Sequence, residues 1–195
     1  MPEQKMTFSR KEQEKLKPII EDFATEHLDG DIRKMILDFV AHLRANGMPL
    51  KWTSTNGWSA KYKSQTICQI VLALGTFADD TVWWVTPDLT HLNEYEAVIM
   101  SKGLQDFIWD NVFYCAHDPK SPLAGKGCNP NKGCAPGKNC TILGREILGM
   151  CRNRPNPVAH DPDEAAIVSV KRLLELERQA RDAEAAAKKK GGVSS

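Results

Sequence analysis

Residues 128 to 140, CNPNKGCAPGKNC, carry three cysteines six residues apart among Pro, Gly, Asn and Lys, and Cys115 and Cys151 flank them. A stretch so poor in apolar groups cannot offset its ordering cost, roughly 1 to 2 kcal/mol per residue of backbone, by burying surface. Thiolates can do it through a metal: four of them close a tetrahedral zinc site, and structural zinc in small peptides is worth about 10 to 16 kcal/mol. The candidate ligands are Cys115, Cys128, Cys134, Cys140 and Cys151, four of the five being needed. Their spacings of thirteen, six, six and eleven contain no C-x-x-C knuckle, so zinc is expected from clustering and loop composition. An iron–sulfur cluster is the alternative occupant of the same thiolate set. His117 or His160 could stand in for one cysteine. A fifth thiol left free beside the metal, or beside Lys132 and Lys138, would have a lowered pKa and could oxidise reversibly, which supports a redox or metal-dependent enzyme as the competing reading. The sixth cysteine, Cys68, sits alone in an apolar run and reads as a core residue.

A second constellation is aromatic. KWTSTNGWSAKYK, residues 51 to 63, interleaves Trp and Tyr with Lys as a base-stacking surface does, but Trp52, Trp58 and Tyr62 alternate like core-facing strand positions, with the lysines on the other face. That argues against nucleic acid. Adjacent Trp83 and Trp84 cannot both face one core, so one indole should meet a groove or partner. Trp52, Trp58 and Trp84 are therefore the expected ligand-binding residues, for a small molecule or a protein. GCAPGKN lacks the four-residue glycine spacing and the Ser or Thr of a phosphate loop, and no hydrolase, dehydrogenase or EF-hand motif occurs. No catalytic residue is assigned.

The elements that must position these groups are legible from periodicity. Ser9 to Glu12 has the form of a capping box, followed by Leu16, Ile19, Ile20 and Phe23, predicting a helix from about residue 9 to 27 with Pro18 as a start or kink. Ile32, Met35, Ile36, Phe39, Val40 and Leu43 predict a second helix, capped by Asp29 or Asp31 and ended by Asn46-Gly47. Strands follow: a hairpin turning at Asn56-Gly57, a central strand over residues 67 to 74 and another over 81 to 86. Residues 87 to 90 open a helical stretch to about residue 100, and a short helix is expected within 103 to 112. Residues 116 to 140, with four prolines and four glycines, read as a long connection fastened by something. Asp161-Pro162-Asp163-Glu164 then caps a terminal helix whose apolar stripe gives way to a charged, Ala-rich tail.

The fold class expected is α+β: an antiparallel meander covered by helices on one face, then a Cys-rich loop and a closing helix. Residues 1–112 form the α+β domain, 113–160 the metal-binding segment, 161–188 the terminal helix and 189–195 a disordered tail. With 26 basic against 25 acidic residues in 195, no global field draws the chain toward nucleic acid or anionic membrane. The charged N-terminal stretch and the absence of a long apolar run lead to the expectation of a cytoplasmic protein without a membrane span.

The Trp-containing hairpin WTSTNGWSAKYK after two helices resembles a group of small uncharacterised bacterial α+β proteins related to the frataxin-like iron-chaperone family, over about residues 10 to 112. GCAPGKNCTILGREILGMC looks like the Cys-rich C-terminal extension of clostridial-type members, whose cysteines match Cys134 and Cys151, with Arg145 at a Lys position. The resemblance implies metal binding and no assigned reaction. An iron role does not carry over, because no acidic ridge is evident.

Overall fold

In the computed structural model, which describes residues 9–74, 81–116, 137–152 and 154–191, the first helix opens as its capping box requires. Ser9 Oγ accepts from the Glu12 amide, and the Glu12 carboxylate accepts from the Ser9 amide at 2.7 Å. The helix expected over residues 9 to 27 is instead two, α1 (Arg10–Leu16) and α2 (Ile20–His27). Pro18 disfavours helical backbone in the residue before it, and Lys17 turns to φ 47 while its amide donates to Gln13 O at 2.7 Å. Helix α3 (Gly30–Ala45) buries Ile36, Phe39, Val40 and Leu43, and Gly47 at φ 72 ends it. The expected stripe starts a turn late, since Ile32 is exposed, and Asp29 makes no side-chain cap.

Four strands make the expected antiparallel meander: β1 (Leu50–Ser54), β2 (Gly57–Tyr62), β3 (Gln65–Leu72) and β4 (Trp83–Pro87), with Trp52 opposite Trp58 and Ile70 opposite Val85. The β1–β2 turn uses Asn56 at φ 55, as its sequence suggests. The β2–β3 turn puts Lys63 and Ser64 at positive φ, without the Gly or Asn that normally marks such a turn. Consecutive residues Trp58, Ser59 and Ala60 are all buried, as are Trp83, Trp84 and Val85, so the sheet centre is covered on both faces.

The remaining elements are a 3-10 turn (Leu92–Glu94), α4 (Glu96–Ser101), α5 (Gln105–Asp110), β5 (Lys138–Ile142), β6 (Arg145–Met150), a two-residue strand β7 (Ala159–His160) last in the five-stranded order β1-β2-β3-β4-β7, and the long α6 (Glu164–Gly191). The protein is thus α+β. Pro87 ends β4 rather than opening a helix. The β5–β6 hairpin is absent from the sequence reading; its turn is Leu143-Gly144 at φ 49 and 74, and a leucine in that conformation gives no sequence signal. Asp163, not Asp161, caps α6, accepting from the Ala166 amide at 2.8 Å. Asp161, at φ 40, instead accepts from the amides of Val82 and Trp83 and holds that strand start.

Two compact units divide the chain: the part up to Asp88 with His160–Leu174, and Leu89–Ala159 with the part from Glu175 onward. Among the described residues no helix is long and apolar enough to cross a membrane.

Candidate metal-binding hairpin and ligand cleft

In the second unit the cysteines are placed by backbone pairing. Tyr114 bridges Met150, and the bonds on either side, Cys115 N to Gly149 O and Cys151 N to Phe113 O, are both 2.8 Å. Alternation about that bridge sends Cys115 and Cys151 to one side and Tyr114 and Met150 to the other. Cys115 and Cys151 are then diagonal neighbours, with Cα atoms about 7–8 Å apart by ladder geometry. That exceeds easy disulfide reach, and both are free thiols. Gly149, opposite Cys115, has φ 75, and a Cβ at Gly137 would lie 2.8 Å from Gly149 O and 2.9 Å from Cys115 Cβ. The chain therefore leaves Cys115 and returns at Gly137 in a space that only glycine fits.

Cys140 is turned elsewhere. On β5 it faces Ile147 across the hairpin, and its sulfur lies 3.8 Å from Met150 Sδ, on the methionine side of the ladder. This divergence agrees with the finding that no three His, Cys, Asp or Glu side chains among the described residues group as metal ligands. Cys128, Cys134, His117 and Lys132 lie outside the described residues. What the structure places fits a zinc site in part: two thiols share one side beside a glycine cradle, and a third points away.

Cys68 behaves as expected of a core residue. It is fully buried on β3, and burial, reinforced by the Asp88 charge, pushes its thiol well above the ordinary range.

The first unit contains a half-open cleft of about 500 Å³ lined by Lys17, Pro18, Ile19, Ile20, Arg44, Leu50, Lys51, Trp52 and Trp58. The break between α1 and α2 makes one wall and the β1–β2 hairpin the other. Trp58 is 1% exposed and donates its indole N–H to Pro18 O at 2.8 Å, while half-buried Trp52 donates to Gln13 Oε1 at 3.3 Å. Gln13 is itself fully buried: its amide oxygen accepts from Asn56 N at 2.7 Å and its amide nitrogen donates to Asn56 Oδ1 at 2.6 Å. Helix α1 is thereby locked to the hairpin turn, and the cleft wall is fixed. The expectation for Trp84 is corrected. It is 9% exposed and packs against His160, ring centroids 5.7 Å apart, and it does not line the cleft with Trp52 and Trp58. Both faces of β4 are covered, so neither adjacent indole is presented to solvent. His160 is occupied there as a packing partner.

A charged cluster that sequence reasoning missed sits in the second unit. Glu177, on α6 with a side chain 0% exposed, accepts from Thr90 Oγ1 (2.7 Å), His91 Nδ1 (2.8 Å) and Arg181 Nε (2.8 Å) on one oxygen, and from His91 N (3.1 Å) and Tyr95 OH (2.7 Å) on the other. Burial alone would raise its pKa, but the bonds from His91, Thr90, Arg181 and Tyr95 prevail and hold it at about 2. The Glu177 bond raises the His91 pKa, and burial followed by the same carboxylate raises that of Tyr95. With five donors on two oxygens no lone pair of Glu177 remains free, and the cluster fastens residues 90–95 to α6. Only its i, i+4 pair, Glu177 and Arg181, could be seen in the sequence.

No family model matches this chain, and neither a curated protein nor a solved structure matches it.

Proposed function

We propose that this chain is a zinc-binding α+β protein whose metal is mainly structural, held by the thiolates of Cys115, Cys128, Cys134 and Cys151, with a sheet-side cleft that binds a small ligand. The observation that carries the metal half is the shared side of Cys115 and Cys151 at the foot of the segment bearing the other two cysteines, with Gly137 and Gly149 leaving room beside them. Cys140, whose sulfur sits against Met150, is the cysteine left out. Bound zinc would supply a closed tetrahedral crosslink, and the chain's own part is to place two thiols and to keep their surroundings free of side-chain bulk.

Elemental analysis of purified variants tests this. Cys134→Ser and Cys151→Ser should lose about one zinc per chain and melt lower, whereas Cys140→Ser and Cys68→Ala should retain it. Equal metal content in all four would end the proposal. A coloured protein containing iron and acid-labile sulfide would put a cluster in place of zinc on the same ligands.

A further inference from the structure

We propose that the cleft walled by Trp52 and Trp58 selects a small aromatic carboxylate, with Lys17 and Lys51 meeting the anion and the surfaces of Trp52 and Ile19 taking the ring. This rests on reading that cleft as a ligand site and adds the chemistry of its occupant. Three cationic side chains and no carboxylate line the cleft. Arg44 is engaged by Glu21, Nη2 to Oε2 at 2.9 Å. Lys17 and Lys51 are exposed and have no ion pair among the described residues, which leaves two positive charges unmatched at the rim of the cleft. A groove of similar volume, about 480 Å³, lies along α3 and the start of α6, but Asp31, Asp38, Asp163 and Glu164 mix there with Lys34 and Lys171. The anion preference belongs to the tryptophan cleft alone of these two.

The hydrogen-bonding capacity of the walls points the same way. Both indole N–H groups are already spent, on Gln13 Oε1 and Pro18 O, so neither is a free donor, and of the two rings only that of half-buried Trp52 has surface to offer, Trp58 being 1% exposed. Ile19 stands at the cleft 55% exposed, an apolar group left in water at the α1–α2 break. Such walls recognise a flat apolar body by contact area and its charge by Coulomb attraction, not by a hydrogen-bond pattern. The volume lies within the roughly 300–1,000 Å³ typical of small-molecule sites.

The test uses the full chain, loaded with zinc, and 2-naphthoate as probe, with 2-naphthylmethanol and inorganic phosphate as comparators. Calorimetry measures affinity, and the indole resonances of Trp52 and Trp58 report the location. Naphthoate should bind one to one, shift both resonances, and bind more tightly than the alcohol. A Lys17→Gln, Lys51→Gln double variant with unchanged melting temperature should bind naphthoate roughly two- to thirtyfold more weakly, the worth of two exposed ion pairs, and should bind the alcohol as before. If the alcohol moves the same resonances with the affinity of naphthoate, or the double variant binds naphthoate undiminished, the anion inference fails while the cleft remains a ligand site. Phosphate binding as tightly as naphthoate also overturns it. If a set of neutral and cationic aromatic fragments as well as naphthoate leaves both resonances unmoved, the ligand-site reading falls with it.

Discussion

Each unit is fastened by one buried polar side chain that reaches a segment far away in sequence, and the two fasteners differ in charge. In the first, the neutral Gln13 amide ties α1 to the Asn56 turn, spanning 43 residues. In the second, the ionised Glu177 gathers Thr90, His91, Tyr95 and Arg181 across as many as 87 residues. Both satisfy nearly every polar atom they bury, as buried groups must. The difference lies in what happens when a partner is lost or the pH changes. An amide leaves behind an unsatisfied dipole, whereas a carboxylate leaves a desolvated charge.

The largest effect should therefore come from Glu177→Ala, which removes the one buried carboxylate that Thr90, His91, Tyr95 and Arg181 share and should cost about 3–5 kcal/mol in denaturant unfolding. A loss under half that size would mean water or neighbouring carboxylates replace Glu177 easily, and the contrast would weaken. Gln13→Ala should cost about 1–3 kcal/mol, the penalty for unpaired neutral groups. It should also loosen the Trp52 side of the cleft, visible as a shifted Trp52 indole resonance.

The pH profile sharpens the comparison further. Glu177 has a folded pKa of about 2 against 4.5 ordinarily, so its contribution is complete above 4.5 and disappears as pH falls toward 2. His91 is shifted the other way: its contribution is complete below 6.5 and disappears as pH rises through its raised folded value. The second unit should be held most firmly between those limits, by hydrogen exchange at residues 90–95. Glu177→Gln should flatten the acid side of that profile, and Gln13→Ala should leave its shape unchanged. The smallest effect expected is that of Ser9→Ala, about 1 kcal/mol, since it removes one helix cap at an exposed end and spares both fasteners.

How much was legible beforehand follows from the range of the interactions. Capping by Ser9, the stripe of α3, the Asn56-Gly57 turn and the Cys68 strand are set by neighbours in the chain, and all were readable. The split of the first helix hung on Pro18, whose effect could be named but whose two outcomes, kink or break, were not separable from spacing. The β5–β6 hairpin was hidden because Leu143 adopts positive φ without being a residue that favours it, as Lys63 and Ser64 do in the β2–β3 turn. Trp84 misled because the alternation rule assumes one wet face, and β4 has none. Of the cysteine cluster, sequence supplied five candidates with no means to choose; the Tyr114–Met150 bridge separates Cys115 and Cys151 from Cys140.

Sequence alone determined the α+β class, the order of most elements and the concentration of thiols in one segment, because helix periodicity, strand alternation and composition are local properties of the chain. Only the tertiary structure decided which distant groups meet: Gln13 with Asn56, Glu177 with His91, Cys115 beside Gly149 and Gly137, and the lysines beside Trp52 and Trp58. Those encounters depend on chain reversals and on pairings tens of residues apart, whose geometry is set by packing and backbone register rather than by any residue's own preference.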